Sequence, residues 1–125
     1  MKALVIDDAK AMRMILRQVL TSLDFEVSEA SDGREGIEKL RKLPGLDLVL
    51  VDFYMPDMDG IEFVRAVRSD SAYDAVRLLI VTSEDDPTRI DMALHTGAND
   101  YLKKPFGRLD VLEKIRGLGI APSCR

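Results

Sequence analysis

Five residues whose types suit phosphoryl or metal chemistry each stand at the end of a short strand-like stretch. Asp7 and Asp8 follow Ala3–Ile6, Asp52 follows Leu46–Val51, Thr82 follows Leu78–Val81, and Lys104 closes the stretch that begins near Asp100. If those runs are strands of an open α/β sheet, all five groups lie at the carboxyl edge, where such sheets bind ligands. Three carboxylates crowded on one edge repel one another and call for a cation. Hard oxygen ligands suit Mg²⁺, with Mn²⁺ as the alternative, and Mg²⁺ keeps waters and shares phosphate oxygens readily. A carboxylate beside that cation and a lysine is a nucleophile toward phosphorus, and the same cation and lysine would neutralise charge on the phosphoryl oxygens. The Thr82 hydroxyl could hydrogen-bond one of those oxygens. Taken singly these residues say little: an Asp-Asp pair is usually a loop or a cap, and a strand-terminal Thr is usually a β-former. The joint arrangement is far more specific.

The chain supplies the elements this requires. Leu46, Leu48, Val49, Leu50 and Val51, broken only by Asp47, form a run too short for a helix and too apolar for a half-exposed strand. It reads as a strand buried on both faces. Pro56, Asp57 and Gly60 then turn the chain, with Asp59 as N-cap of a helix over Ile61–Arg68 that buries Ile61, Val64 and Val67. Before it, Met12, Ile15, Leu16, Val19, Leu20 and Leu23 give the spacing of one buried helical face, opposite Lys10, Arg13, Met14 and Arg17. The second strand, Glu26–Ala30, is the most polar and suits a sheet edge. Asp32-Gly33 follows it, Ile37 and Leu40 place a second helix, and Pro44-Gly45 ends that helix. Asp86-Pro87 starts a fourth helix that buries Ile90, Ala93 and Leu94 and stops at Gly97. A short strand near Asp100–Lys103 precedes a last helix expected to turn Leu109, Leu112 and Ile115 inward. Strands alternating with helices through short connections predict a doubly wound parallel sheet with helices on both faces.

Composition narrows the function. The chain has 125 residues, 18 basic against 22 acidic, for a net charge of −4. That length suits one domain over 1–120, followed by a disordered tail, APSCR, over 121–125. An acidic balance with no basic run gives no footprint for nucleic acid. The apolar stretch in MKALVIDD is too short for a signal peptide or membrane span, so the expected location is cytoplasmic. The single cysteine, Cys124, excludes an internal disulfide.

With these motifs in view, VIDD at 5–8, LVLVDFYMPDMDG at 48–60, VTSE at 81–84 and TGANDYLKKPF at 96–106, the chain resembles receiver domains of two-component response regulators, especially the stand-alone chemotaxis type. The resemblance spans residues 2–118. It implies a five-stranded flavodoxin-like (βα)5 fold with strand order 2-1-3-4-5. It also implies that Asp52 accepts a phosphoryl group from a sensor histidine kinase or phosphotransfer protein, with Asp7, Asp8, Asp52 and the Tyr54 backbone carbonyl around Mg²⁺. Thr82 and Lys104 would bind the phosphoryl oxygens; Lys103 stands beside Lys104, but the family lysine immediately precedes the proline. Tyr101 would change position with Thr82 on activation, and the side chains of Tyr54 and Glu84 would border the path of attacking water and tune the phosphoryl lifetime. The chain would catalyse only its own phosphorylation and dephosphorylation, and signal through a protein target without an output domain, as a monomer or weak dimer.

Two other readings share parts of this pattern. A haloacid-dehalogenase-type hydrolase also forms an aspartyl phosphate with Mg²⁺, but needs an Asp where Tyr54 stands. A flavodoxin-like electron carrier would have a hydroxyl- and glycine-rich loop after strand one, where Asp7-Asp8-Ala9-Lys10 would repel a phosphate. A receiver that works without phosphorylation would not need the intact set Asp7, Asp8, Asp52, Thr82 and Lys104. For the partner-facing surface the sequence offers Arg89, Met92, His95, Tyr101 and Lys103, with His95 on the solvent side of the fourth helix. Taken alone each reads equally as a solvated side chain, Arg89 above all.

Overall fold

The computed structural model describes residues 1–83 and 87–120. The run LVLVD forms the central strand β3 (Leu48–Asp52), and every residue in it is buried. Around it stand β1 (Lys2–Ile6), β2 (Glu26–Ala30), β4 (Arg77–Thr82) and β5 (Asp100–Lys103), in the order β2-β1-β3-β4-β5. All four pairings are parallel. The helices are α1 (Lys10–Ser22), α2 (Gly33–Lys42), α3 (Gly60–Arg68), α4 (Pro87–Thr96) and α5 (Arg108–Gly117), with a 3-10 turn at Ser71–Tyr73. The expected fold and strand order are what the structure has.

Both faces of the sheet are covered, which is why β3 is apolar throughout. Val49 and Val51 face a cluster completed by Leu40, Ile61, Phe63, Val64, Val67 and Ala93 from α2, α3 and α4. Leu48 and Leu50 face Leu16 and Leu20 of α1 and Val111, Leu112 and Ile115 of α5. Strand β2 lies at one edge and is the least buried strand beside β5, as its polar sequence predicts. Leu46 precedes β3 but stays buried, and the Asp47 carboxylate accepts a hydrogen bond from the Lys2 N–H at 2.9 Å.

Two expected core positions are corrected. Ile15 is 47% exposed and Leu109 is 66% exposed. At about 100° per residue, Ile15 lies roughly 100° round the helix from Leu16, beyond the half-buried Val19. Likewise Leu109 lies roughly 60° beyond Leu112, on the side away from Val111 and Ile115. Ile90 and Leu94 are only half-buried, so Ala93 alone is the buried residue of α4. The Asp86 cap and the 121–125 tail lie outside the described residues.

Local signals set the turns that bring the site together. Asp59 caps α3, its carboxylate accepting from the Glu62 N–H at 2.8 Å, and Asp32 caps α2 through the Glu35 N–H. A β-carbon at Gly60 would stand 3.0 Å from Phe53 Cα and 3.1 Å from the Asp52 carbonyl oxygen. Glycine there lets α3 begin directly against the end of β3, and the Gly60 N–H donates to the Phe53 carbonyl at 2.9 Å. The Lys104–Pro105 peptide is cis.

Candidate phosphoacceptor and metal site

The direction of chain travel reverses between β1 and β3, one crossover leading outward to β2 and the later ones toward β5. The crevice at that switch point is where doubly wound sheets bind ligands. Asp7 follows the last residue of β1 and Asp52 is the last residue of β3, so both stand on its lip. Asp7 is 1% exposed and Asp52 8% exposed, whereas Asp8 is exposed. One carboxylate oxygen from each of Asp7, Asp8 and Asp52 lies within 4.8 Å of the others.

Lysine 104 reaches the same point from the far side. Its Nζ is 3.4 Å from Asp52 Oδ1 and 3.6 Å from Asp7 Oδ2. The Lys104 N–H donates to the Thr82 carbonyl at 2.7 Å, which ties the start of the β5–α5 connection to the end of β4. Thr82 itself is 1% exposed and ends β4, the strand next to Asp52. The sheet thus brings Lys104 into ion-pair distance of Asp7 and Asp52, sets Asp8 beside those two carboxylates, and puts Thr82 on the adjacent strand end.

Burial and mutual repulsion set the charge state of this cluster. Burial pushes the Asp7 carboxyl above its usual value, against the lowering effect of the hydrogen bond that its Oδ1 accepts from the Ala9 N–H at 2.9 Å. Burial likewise raises Asp52, and the negative charge of Asp7 adds to the rise while Lys104 opposes it. Among the described residues, Asp7 Oδ2 is buried without a hydrogen-bond partner, since the ammonium at 3.6 Å is too far to donate. A buried carboxylate oxygen with no hydrogen-bond donor, facing two further carboxylates, is a fit for a divalent oxygen-seeking cation.

Sequence reasoning missed the supports of this site. Arg13, assigned to the outer face of α1, donates from Nη1 to the Asp7 carbonyl at 2.6 Å and pairs with Glu29 of β2 at 3.4 Å. Arg17, four residues on, pairs with the same Glu29 at 2.7 Å. The signal was available in the i, i+4 spacing of the two arginines beside an acidic edge strand. Arg89 is the larger surprise. Its guanidinium carbon lies 5.2 Å from the Phe53 ring centre and 5.4 Å from that of Tyr54, instead of in solvent.

The remaining residues of interest spread along α4 and β5. Tyr54 is 45% exposed and follows β3 in the same loop as Asp52. Met92 is 49% exposed, and His95 is exposed with Nδ1 2.8 Å from the Asp91 carbonyl oxygen. Tyr101 is half-buried with the Lys114 ammonium 4.5 Å from its ring centre, and Lys103 is exposed. Tyr101 pairs with Ile80 and Lys103 with Thr82, so Thr82 and Tyr101 share one face of the sheet. Glu84 lies outside the described residues.

A five-stranded 2-1-3-4-5 sheet with an acidic pocket at its switch point and a lysine opposite defines a receiver. Residues 3–116 match the family described as the response regulator receiver domain, and the chain belongs to that family. It is similar to chemotaxis protein CheY1 of Helicobacter pylori, 37% identical over 116 residues that cover 92% of this chain and 94% of the relative. It is also 36% identical to a chemotaxis protein CheY homolog of Campylobacter jejuni, over 92% of this chain and 89% of that one. Among solved structures it matches chemotaxis protein CheY4 of Vibrio cholerae with a TM-score of 0.88 at 34% identity, covering 94% of this chain and 97% of that one.

Proposed function

We propose that this receiver takes a phosphoryl group on Asp52 from a phosphohistidine of a sensor kinase or phosphotransfer protein. In that step an Asp52 carboxylate oxygen forms a bond to phosphorus, the phosphorus–nitrogen bond breaks, and its electron pair stays on the donor imidazole. The observation that carries this reading is the convergence of Asp7, Asp8, Asp52 and Lys104 at the switch point, with a buried carboxylate oxygen left without a hydrogen bond among the described residues. Asp7, Asp8 and Asp52, with the Tyr54 carbonyl, would hold Mg²⁺, which when bound supplies positive charge to the phosphoryl oxygens. Lys104, within reach of Asp52, neutralises a second share of that charge. Thr82, on the adjacent strand end, donates its hydroxyl to a phosphoryl oxygen of the product.

The protein catalyses only its own phosphorylation and dephosphorylation, and the product is a signal. The likeness to chemotaxis proteins supports a cytoplasmic regulator read by a target protein on the α4–β5 face. The experiment is intact-mass measurement after incubation with a small phosphodonor and Mg²⁺. Wild type gains one phosphoryl group, and Asp52→Asn or excess EDTA abolishes the gain. Equal modification of Asp52→Asn would remove Asp52 from its role.

A further inference from the structure

Arg89 occupies an unusual place for a charged side chain on a helix next to solvent. It is half-buried near the start of α4, and among the described residues its Nε is buried without a hydrogen-bond partner. Arginine has five N–H donors and normally spends them on carboxylates, carbonyls or water. Here the guanidinium instead lies over two aromatic rings that touch each other. Phe53 and Tyr54 are tilted by 50° with centres 5.0 Å apart, and the guanidinium carbon is within 5.4 Å of both. A cation at that distance is drawn to the ring faces, with Arg the commonest such cation.

The two rings are not equivalent. Phe53 is fully buried in the core beneath α3 and α4 and cannot move without disturbing it. Tyr54 is 45% exposed and stands at the solvent border of the loop that carries Asp52. Phe53 therefore serves as a fixed floor and Arg89 as the clamp that reaches from α4 to the exposed ring. The family resemblance puts Tyr54 at the border of the path of attacking water, so the placement of its ring bears on that path.

We propose that Arg89 is a positioning residue which holds the Tyr54 ring beside the phosphoacceptor and so sets how long the phosphoryl group persists on Asp52. This rests on the reading of Asp52 given above. In the step it slows, a water oxygen bonds to phosphorus and the bond from phosphorus to the Asp52 oxygen breaks. The electron pair returns to the carboxylate, and a water proton is lost to solvent as inorganic phosphate leaves.

Three variants separate the clamp from general damage. Arg89→Met keeps the length and apolar stem but removes the cation; Arg89→Lys keeps a cation; Tyr54→Ala removes the ring. Loss of the phosphoryl group is followed by intact mass after the donor is removed. Arg89→Met decays about two- to fivefold faster than wild type, the range expected for losing a partly exposed cation–π contact. Arg89→Lys restores the wild-type rate to within about twofold. Tyr54→Ala also decays faster, and adding Arg89→Met to it changes nothing further. An equal acceleration in the Tyr54→Ala background would overturn the proposal, because Arg89 would then act without the ring. A second readout needs no phosphorylation. In the unmodified protein, Arg89→Met shifts the Tyr54 ring resonances, and Tyr54→Ala moves the Arg89 Nε–H resonance out of its ring-current position. Unchanged resonances overturn the clamp itself. A wild-type protein that takes up no phosphoryl group overturns the Asp52 reading and the lifetime claim with it, while the ring resonances still decide whether the clamp exists.

Discussion

Asp7 shows how a residue can be costly to the fold and necessary to the site. Its carboxyl is 1% exposed, raised by burial, and carries an oxygen with no hydrogen bond among the described residues. Because Asp7 and Asp52 are both raised above their values in the unfolded chain, the folded state binds their protons more tightly. Without a divalent cation, stability therefore falls as pH rises from the unfolded carboxylate value, about 4, through the raised folded values. Asp7→Asn removes the charge while keeping an oxygen for the Ala9 N–H. At neutral pH without Mg²⁺ it raises the thermal midpoint, by about 4 °C for each kcal/mol by which relief of burial and of repulsion from Asp52 exceeds the lost attraction of Lys104. Added Mg²⁺ raises the midpoint of wild type through linkage and that of the variant much less. Thermal unfolding with and without Mg²⁺ checks both statements; a variant less stable than wild type in EDTA would refute the first.

At the scale of elements, the proposed output of the site would run through β4, β5 and α4, which pack as neighbours. Thr82 and Tyr101 share a sheet face two residues apart in register, and the Tyr101 ring is half-buried against the cluster that includes Ala93 and Leu94 of α4. The Lys114 ammonium lies over that ring and 3.3 Å from the Asp100 carboxylate. If the Thr82 hydroxyl turns to a phosphoryl oxygen, it vacates space on the face where Tyr101 lies. The ring can enter that space by a rotamer change, away from Lys114. A partner that prefers one state shifts the balance only by its differential affinity, typically ~1–3 kcal/mol for coupled sites. Amide chemical-shift mapping with beryllofluoride and Mg²⁺ is expected to show changes near Met92 and Tyr101 as well as around Asp52. Changes confined to the loops beside Asp52 would show that α4 and β5 do not report the site.

The whole molecule keeps its stability and its chemistry at opposite edges of the sheet. At the edge away from Asp52, the Arg68 guanidinium donates to the carbonyls of Gly97 at 3.0 Å, Tyr73 at 2.8 Å and Val76 at 2.7 Å. It also donates to the Asn99 side-chain oxygen at 2.9 Å, which accepts from the Leu78 N–H too. One side chain thus joins the ends of α3 and α4 to the approaches of β4 and β5. Gly97 is needed beneath it: φ is +135°, and a β-carbon would stand 2.5 Å from Arg68 Cγ. Arg68→Met takes away the side-chain donor to the Gly97 and Val76 carbonyls and is expected to lower stability by about 2–4 kcal/mol. Folded variant still takes one phosphoryl group on Asp52. Urea unfolding beside the intact-mass assay measures the two properties separately; loss of uptake in fully folded protein would show that the edges are coupled.

Sequence alone determined the alternation of strands and helices, because apolar period and turn chemistry are local. It likewise placed Asp7, Asp8, Asp52 and Thr82 after apolar runs, Lys104 after a short strand, Asp59 as a cap and Gly97 as a terminator. The resemblance of four short motifs added the strand order. Periodicity, however, reports which side of an element is apolar and not what stands opposite it. Hence Ile15 and Leu109 fit an apolar period yet lie outside the stripes that α1 and α5 bury. Only the tertiary structure brought Lys104 within 3.6 Å of Asp7, since that distance depends on how β1 and β5 straddle β3 and β4. Only it turned Arg89 from a solvated residue into a clamp on Phe53 and Tyr54, and Arg68 into the tie of the far edge. A long cationic side chain can point to water or to a neighbour, and the neighbours exist only once the sheet has been wound.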